Sequence, residues 1–203
     1  MASGLSMPVG LKNCTDGGLS TAINAILAAS SPQSFLGIDQ NGRTCIVKTT
    51  GNPWAHIVLR GGKRPNYDSV SIDEALSQLK DKKIPAVVMV DCSHANSRKK
   101  YQRQEIVWKD VIEQRVDGND SIIGLMLESN LFEGAQKCSN DPSCLKYGVS
   151  VTDECISWET TEKLLLSGHK KLRRLFSEQF DWDAKGVPAP MKENLAPAMA
   201  WSE

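Results

Sequence analysis

The sequence lacks the features that mark membrane-spanning, secreted and nucleic-acid-binding proteins. No window approaches the run of about 18 apolar residues that a membrane-spanning helix needs. The opening residues, Met1-Ala2-Ser3-Gly4, lack the charged and apolar regions of a signal peptide. Lysine plus arginine total 24, as do aspartate plus glutamate, so no net charge attracts the protein to nucleic acid or to anionic lipid. We therefore expect a cytoplasmic protein that binds neither nucleic acid nor membrane.

Cysteine motifs are also missing. The six cysteines show no CxxC spacing, which excludes a zinc knuckle and a secreted disulfide framework. Cys138 and Cys144 are close in sequence, but reduced thiols are the cytosolic default, so we expect no bridge between them. Cys92 follows an apolar run, and we expect it to be a thiol of the core.

The composition is that of a globular domain. The chain has 203 residues, of which 40% are hydrophobic and 24% charged, enough to bury a substantial core. Residues 181–203 are rich in proline, alanine, lysine and glutamate without periodicity, which is typical of a flexible tail. The expected organisation is one domain over residues 1–180 followed by that tail.

Four short apolar runs predict buried strands. They end at Lys12, Arg60, Asp91 and Glu128. Each run is apolar at nearly every position, which suits strands that are covered on both faces of a parallel sheet. The predicted helices cover residues 19–29, 71–82, 97–116 and 159–176, with a capping box at the start of the second.

The order of these elements predicts an α/β fold. Alternating strands and helices are typical of a TIM barrel or a doubly wound sheet. One exception is a β-hairpin insertion at about residues 34–48, predicted by the turn signal Asn41-Gly42. A full barrel needs eight strands and about 250 residues, whereas this sequence supplies only half of the strands.

Chemically active side chains collect at the ends of the predicted strands. They are Lys12, Arg60, Lys63, His94, Glu128 and Asp153. Taken singly, each has a structural explanation: a histidine can be buried and satisfied, an acid can cap a helix, and Gly62 can supply a turn with positive φ. Their convergence instead favours a divalent-metal site of one imidazole and two carboxylates, beside cations that hold an anionic substrate.

Five motifs resemble one enzyme family. They are "PVGLKNCTDGG", "HIVLRGGKRPNYD", "VMVDCSHANSRK", "IIGLMLESNLFEG" and "YGVSVTDECISWE". In order and spacing they closely resemble the carboxyl-terminal half of class I 3-deoxy-D-arabino-heptulosonate 7-phosphate (DAHP) synthase, of the feedback-regulated bacterial and fungal type. The resemblance covers about residues 2–174.

The resemblance implies a fold and a reaction. It implies a partial TIM (β/α)8 barrel that contains the equivalents of strands 5–8 plus the hairpin insertion. The family condenses phosphoenolpyruvate with erythrose 4-phosphate and water and releases phosphate, which is the first step of the shikimate pathway to chorismate and the aromatic amino acids. Full-length members are homo-oligomers.

The resemblance also implies residue roles. Lys12, Arg60 and His94 would be catalytic, and Lys63 and Asp153 would join them in binding substrate. His94, Glu128 and Asp153 would supply three of the four ligands of a divalent metal, with manganese, iron, cobalt and zinc all open.

The hairpin corresponds to a regulatory insertion in the family, where tyrosine or phenylalanine binds as an inhibitor. Ser6, Phe35, Gly37 and Val47 fall at positions that line the inhibitor pocket. Gly37 resembles the tyrosine-sensitive pattern, whereas the phenylalanine-sensitive pattern usually has serine there. Cys14 replaces the usual glycine of "KNGTDG".

Several parts of the family pattern have no counterpart here. The cysteine that is the fourth metal ligand, the "KPRTT"-type segment and the "GART"-type arginine are all absent. Another chain could supply the first four strands, or two copies could pair their halves. The sequence could also be a fragment, either a truncated gene product or a gene-model fragment, and we favour this alternative. We thus expect a DAHP synthase with impaired or no activity alone. The alternative is an inactive half-barrel that acts as a partner or regulator of a full-length synthase. An unrelated metal-dependent aldolase or hydrolase fits these motifs poorly.

Overall fold

The computed structural model describes residues 1–138 and 141–179. Its strands are β1 (Val9–Lys12), β2 (Ser34–Ile38), β3 (Thr44–Lys48), β4 (Ala55–Leu59), β5 (Val88–Asp91), β6 (Ile122–Met126), β7 (Ser129–Asn130) and β8 (Ile156–Ser157). Its α-helices are α1 (Ser20–Ser30), α2 (Ser69–Asp81), α3 (Gln104–Val116) and α4 (Trp158–Gln179). The predicted tail, residues 181–203, and its boundary at residue 180 lie outside the described residues.

The main sheet is parallel and has the order β1-β4-β5-β6. Lys12 pairs with Val58, and Leu59 pairs with Val90, so the carboxyl ends of neighbouring strands lie side by side. Every residue of β4 is buried, as its continuous apolar run predicts. The predicted α/β class with a parallel sheet is therefore confirmed.

Helices cover the sheet and close the core. α1 packs against β1 and β4, and α3 packs against α4. Ile57, Ile72 and Leu79 are fully buried in one hydrophobic cluster. Each such side chain contributes about 1.5–3 kcal/mol by leaving water. This packing holds the strand ends, and the loops that follow them, in fixed positions.

Two helices, α2 and α3, begin two or more residues from the start that the sequence predicts. α2 begins at Ser69, because Asp68 caps it by accepting a hydrogen bond of 3.0 Å from the Ser71 amide. Burial alone would raise the pKa of Asp68, but its hydrogen bonds from Ser71 outweigh this and hold the pKa below the ordinary value. α3 begins at Gln104. Of the residues predicted as its first turns, 97–99 form an irregular turn instead, and Tyr101–Arg103 form a short 3-10 helix.

Two smaller pairings complete the fold. β2 and β3 form an antiparallel hairpin with Gly42 at its tip at φ 77, as the Asn-Gly turn predicts. β7 pairs in parallel with β8, which brings the loop before α4 to the end of β6. None of the helices within residues 1–138 and 141–179 combines the length and apolarity that crossing a bilayer requires.

Candidate active site

His94, Glu128 and Asp153 converge beyond the carboxyl ends of β5 and β6. Each offers a ligand atom, and these atoms lie within 4.8 Å of one another. His94 Nε2 is 3.7 Å from Glu128 Oε1 and 3.9 Å from Asp153 Oδ2. His94 follows β5, Glu128 lies between β6 and β7, and the β7–β8 pairing brings in Asp153. Three residues from distant parts of the chain thus face one point.

The donor set fits a divalent cation. Nitrogen and oxygen ligands that bind an ion at about 2.1 Å lie roughly 3.0–3.6 Å apart. The separations of 3.7 and 3.9 Å are slightly wider, and small side-chain rotations would close them. One imidazole with two carboxylates is a set that manganese, iron, cobalt and zinc all accept.

A buried carboxylate, Asp91, links this cluster to Lys12. Asp91 is fully buried at the end of β5, and its Oδ2 lies 2.6 Å from Lys12 Nζ and 2.9 Å from His94 Nδ1. The imidazole nitrogen approaches closely, but its alignment falls short of a hydrogen bond. The other oxygen accepts a hydrogen bond of 2.9 Å from the Ser93 amide. A carboxylate behind a histidine ring is the usual partner that orients a metal-binding imidazole.

Glu128 is held from two sides. Ser93 Oγ donates a hydrogen bond of 2.7 Å to Glu128 Oε2, which leaves Oε1 facing His94. The side-chain amide of the fully buried Gln104 pairs with the Glu128 backbone, donating to its carbonyl at 3.1 Å and accepting from its amide at 2.9 Å. Sequence reasoning missed Gln104, because no local pattern distinguishes it from the other polar residues of that stretch.

The loop after β5 contains three left-handed residues. His94, Arg98 and Lys99 have φ of 54, 53 and 56. A non-glycine residue in this region costs on the order of 1–3 kcal/mol and persists only where its surroundings enforce it. Here the buried Asn96 and Ser97 anchor the loop. The strain fixes the direction of His94 and turns Arg98 and Lys99 outward.

A network of asparagines connects the strand ends around Arg60. Asn13 Oδ1 accepts a hydrogen bond of 2.8 Å from the half-buried Arg60's amide, and Asn13 Nδ2 donates to Gly61 O at 2.8 Å. The Gly61 amide donates to Asn66 Oδ1 at 2.7 Å, and the Asn66 amide donates to Asn96 Oδ1 at 2.8 Å. Sequence reasoning also missed these asparagines.

In "LRGGK", Gly61 is the residue that has a positive φ and therefore needs to be glycine. The sequence instead predicts that positive φ for Gly62. Gly61 has φ 74, and a Cβ there would lie 2.8 Å from Ala95 Cβ and 2.8 Å from the Asn96 amide nitrogen. Gly62 matters for close approach instead, because its Cβ would lie 2.3 Å from Gly17 Cα. Both glycines let neighbouring loops pack against each other.

Two cavities lie beside these loops. One of about 180 Å³ is lined by His94, Asp153 and Lys99, among others. The other, of about 350 Å³, is lined by Lys63, Arg98 and, again, Lys99. The structure therefore brings His94, Glu128, Asp153 and, through Asp91, Lys12 together, whereas Lys63 belongs to the neighbouring cavity.

Two cysteines lie near the carboxylates. Cys92 is fully buried, as predicted, and burial followed by the charge of Asp91 raises its thiol pKa far above the ordinary value. Burial also raises the thiol pKa of Cys155, with further contributions from Glu128 and Asp153. Both groups are thiols at neutral pH, which is the poorer ligand form. Cys138 and Cys144 are free, as expected.

The residues predicted for an inhibitor pocket are spread over the hairpin and the start of the chain. Phe35 pairs with Val47 across the hairpin, and a Cβ on Gly37 would lie 2.6 Å from Val47 Cγ2. A cavity of about 430 Å³ is lined by Phe35 and by residues of α1 and the amino terminus. Ser6, Gly37 and Val47 do not line it.

Known proteins resemble the chain over most of its length. A Salmonella typhimurium protein named phospho-2-dehydro-3-deoxyheptonate aldolase, Tyr-sensitive, is 54% identical over 172 residues, which is 85% of this chain and 48% of the relative. The Phe-sensitive protein of that name from Escherichia coli K12 is 49% identical over 177 residues, 86% of this chain and 50% of the relative. The chain thus spans about half the length of these relatives.

A solved structure supports the same relationship. Phospho-2-dehydro-3-deoxyheptonate aldolase from Francisella tularensis SCHU S4 superposes with a TM-score of 0.78 at 40% identity, covering 85% of this chain and 50% of that one. Residues 1–166 match the DAHP synthetase I family. A match over most of the chain shows common descent, so the chain belongs to the DAHP synthetase I family.

Proposed function

We propose that the chain provides the carboxyl-terminal half of a 3-deoxy-7-phosphoheptulonate synthase site. The reaction joins phosphoenolpyruvate, erythrose 4-phosphate and water into DAHP and phosphate. The observation that carries the proposal is the convergence of His94, Glu128 and Asp153, joined to Lys12 by the buried Asp91. Such a set suits a metal ion beside an anionic substrate.

The residues would divide the work by charge. Lys12 and Arg60 would neutralise the carboxylate and phosphate of phosphoenolpyruvate, which must approach an electron-poor aldehyde. His94, Glu128 and Asp153 would hold the divalent metal, which when bound polarises the aldehyde carbonyl. Lys63 and Asp153 would contact substrate at the edge of the site.

The proposed condensation forms one carbon–carbon bond and breaks the carbon–oxygen bond to phosphate. The methylene carbon of phosphoenolpyruvate forms a bond to the aldehyde carbon, and the aldehyde oxygen takes up a proton as a hydroxyl. Water adds at the neighbouring carbon, whose carbon–oxygen bond to phosphate then breaks. In this scheme Lys12 and Arg60 hold the enol phosphate in place throughout, which is a positioning contribution.

The proposal extends to organisation and regulation. The described part of residues 1–180 would form the strand 5–8 half of a TIM barrel, and the chain would act in the cytoplasm. The names of the relatives support inhibition by an aromatic amino acid, and Gly37 favours tyrosine over phenylalanine. Ser6, Phe35 and Val47 would join Gly37 at the inhibitor site, and the complete enzyme would be a homo-oligomer.

Phosphate release tests the proposal. The purified chain is mixed with phosphoenolpyruvate, erythrose 4-phosphate and Mn²⁺, alone and with the amino-terminal half of the Salmonella typhimurium relative. We expect little or no turnover alone and measurable turnover from the mixture, abolished by His94→Asn but not by His169→Asn on α4. The enzyme assignment is wrong if neither preparation releases phosphate.

A second candidate function is an inactive half-barrel that binds a full-length synthase. It is favoured by the open sheet, since no further strand of the described residues pairs with the outer edges of β1 or β6. Size-exclusion chromatography with the full-length relative separates the candidates. Co-elution without any turnover in the complementation assay would support the partner role.

A further inference from the structure

We propose that the cavity of about 350 Å³ beside the candidate metal cluster binds a phosphate dianion. The loops after β4 and β5 form it, and four of its lining residues are cationic: Lys63, Arg64, Arg98 and Lys99. This inference rests on the proposed function in one respect, the assignment of Lys63 to substrate binding. It adds the chemical group that Lys63 would bind and the three residues that would act with it.

The residues that line this cavity include four cations and no acidic side chain. Among the residues that the structure describes, none of the four cations forms an ion pair with an acidic side chain. The remaining lining residues, Gly62, Pro65 and Ala95, carry no charge. The chain as a whole has a net charge of zero, so this concentration of positive charge is local. Such a cavity raises the local concentration of anions and binds the most highly charged ones best.

The backbone presents the cations in a fixed arrangement. Lys99 donates its amide to His94 O at 2.7 Å, and Arg98 donates its amide to Ala95 O at 3.1 Å. These bonds hold Arg98 and Lys99 in left-handed conformations, with φ of 53 and 56. The loop enforces these conformations, and as a result both side chains point from the loop into the same cavity.

The two walls of the cavity are bonded to each other. The Ala95 amide donates to Arg60 O at 3.2 Å, and the Asn66 amide donates to Asn96 Oδ1 at 2.8 Å. Gly61 packs so closely on the other loop that a Cβ would lie 2.8 Å from Ala95 Cβ. A preformed site loses less entropy on binding than one that must be ordered.

The cavity adjoins the candidate metal cluster. Lys99 lines both this cavity and the smaller one that contains His94 and Asp153.

Two guanidinium groups favour phosphate, because each can donate two parallel hydrogen bonds to its oxygens. The shared chemistry of the ligand is therefore a phosphate dianion, either free or as a monoester on a substrate.

Isothermal titration calorimetry with inorganic phosphate, at low ionic strength and without divalent metal, tests the proposal. The double variant Lys63→Ala/Arg98→Ala should bind phosphate at least 10-fold more weakly than the wild type, and added salt should weaken wild-type binding. The matched control is Arg43→Ala/Lys48→Ala on the hairpin, which removes the same two charge types and should bind normally. Circular dichroism checks that both variants fold.

The outcomes separate this proposal from the function above. Absence of wild-type binding, equal affinity of the cavity variant, or an equal loss in the hairpin control would each overturn the phosphate site. His94→Asn should leave phosphate binding intact while Mn²⁺ binding is lost, so the two proposals fail independently. Competition by erythrose 4-phosphate or phosphoenolpyruvate would identify a substrate monoester as the ligand, and competition by neither would identify free phosphate.

Discussion

Gln104 is expected to control the metal cluster without contacting it. Its side-chain amide makes two hydrogen bonds to the Glu128 backbone, at 2.9 and 3.1 Å, and it is fully buried. These two hydrogen bonds resemble those between neighbouring β-strands. They hold the backbone in place for two residues beyond the end of β6, as far as Glu128, whose carboxylate faces His94. Methionine has a similar length and volume but cannot make either bond, which makes Gln104→Met the informative change.

The expected magnitude follows from the groups left behind. Two backbone groups of the half-buried Glu128 would lose their partners, and each such loss costs about 1–3 kcal/mol where water cannot replace the bond. Burial of the less polar methionine side chain offsets part of this by about 1–2 kcal/mol. We therefore expect the free energy of unfolding to fall by about 1–4 kcal/mol. Loss of an outer support of a ligand typically weakens metal binding about 10–100-fold.

Two measurements check this expectation. Urea unfolding gives the change in stability, and electron paramagnetic resonance of added Mn²⁺ gives the affinity of the folded protein. The control is Gln102→Met, two residues earlier, whose side chain is exposed. Equal Mn²⁺ affinity and equal unfolding midpoints for Gln104→Met and the wild type would refute the reasoning. Loss of stability alone would leave Gln104 with a purely structural role.

Three further changes test other parts of the structure. Gly61→Ala places a Cβ 2.8 Å from backbone and side-chain atoms at a φ of 74, so we expect urea unfolding to show a loss of about 2 kcal/mol or more. Asp68→Ala removes the cap of α2 and should cost about 1 kcal/mol near pH 7. Because the pKa of Asp68 is lowered by folding, this contribution is complete above the unfolded-state pKa and should fade as pH falls through the folded-state pKa. Cys92 should react with a thiol reagent at pH 8 only after unfolding, whereas the exposed Cys138 should react at once, because burial keeps the Cys92 thiol protonated.

The strands could be predicted because burial on both faces leaves a continuous apolar run. β1 ends at Lys12 and β5 ends at Asp91, as the sequence predicts. β4 and β6 end one and two residues before Arg60 and Glu128, at Leu59 and Met126. The physical reason is that a strand end is set by its last ladder partner, whereas the sequence reports only where polar residues begin.

The start of α3 could not be predicted, because tertiary contacts override local preference there. Arginine and lysine at positions 98 and 99 are good helix formers, and the stretch from residue 97 has a helical charge pattern. The side-chain amide of the buried Asn96 donates to Leu59 O, at the end of β4, at 3.1 Å and to Asp91 O at 2.9 Å. These bonds hold the loop in a turn with left-handed residues. The contact with β4 joins residues that are far apart in sequence, so the residues around position 97 cannot predict it.

The types of residue at the site were predictable, but their connections were not. Strand-end position selects His94 and Glu128, because parallel strands place their carboxyl ends together. The bond from Gln104 to Glu128 joins residues 24 positions apart, and the pair of Lys12 with Asp91 spans 79 positions. Such links depend on the final packing. A sequence motif can therefore name the ligands while it omits the residues that orient them.

Asp91 couples Lys12, the proposed substrate-binding residue, to His94 of the metal cluster, because its carboxylate lies close to both side chains. β4 separates β1 from β5 in the sheet, so the strands that carry Lys12 and Asp91 lie about 9–10 Å apart, and their side chains meet across that gap at 2.6 Å. The carboxylate is fully buried, and a buried charge is tolerated only with compensation. Lys12 supplies that compensation from the substrate side, and His94 Nδ1 lies 2.9 Å from the same carboxylate oxygen on the metal side. A substitution of Lys12 therefore acts on the surroundings of His94 as well as on substrate, and Mn²⁺ affinity has to be measured beside turnover to separate the two effects.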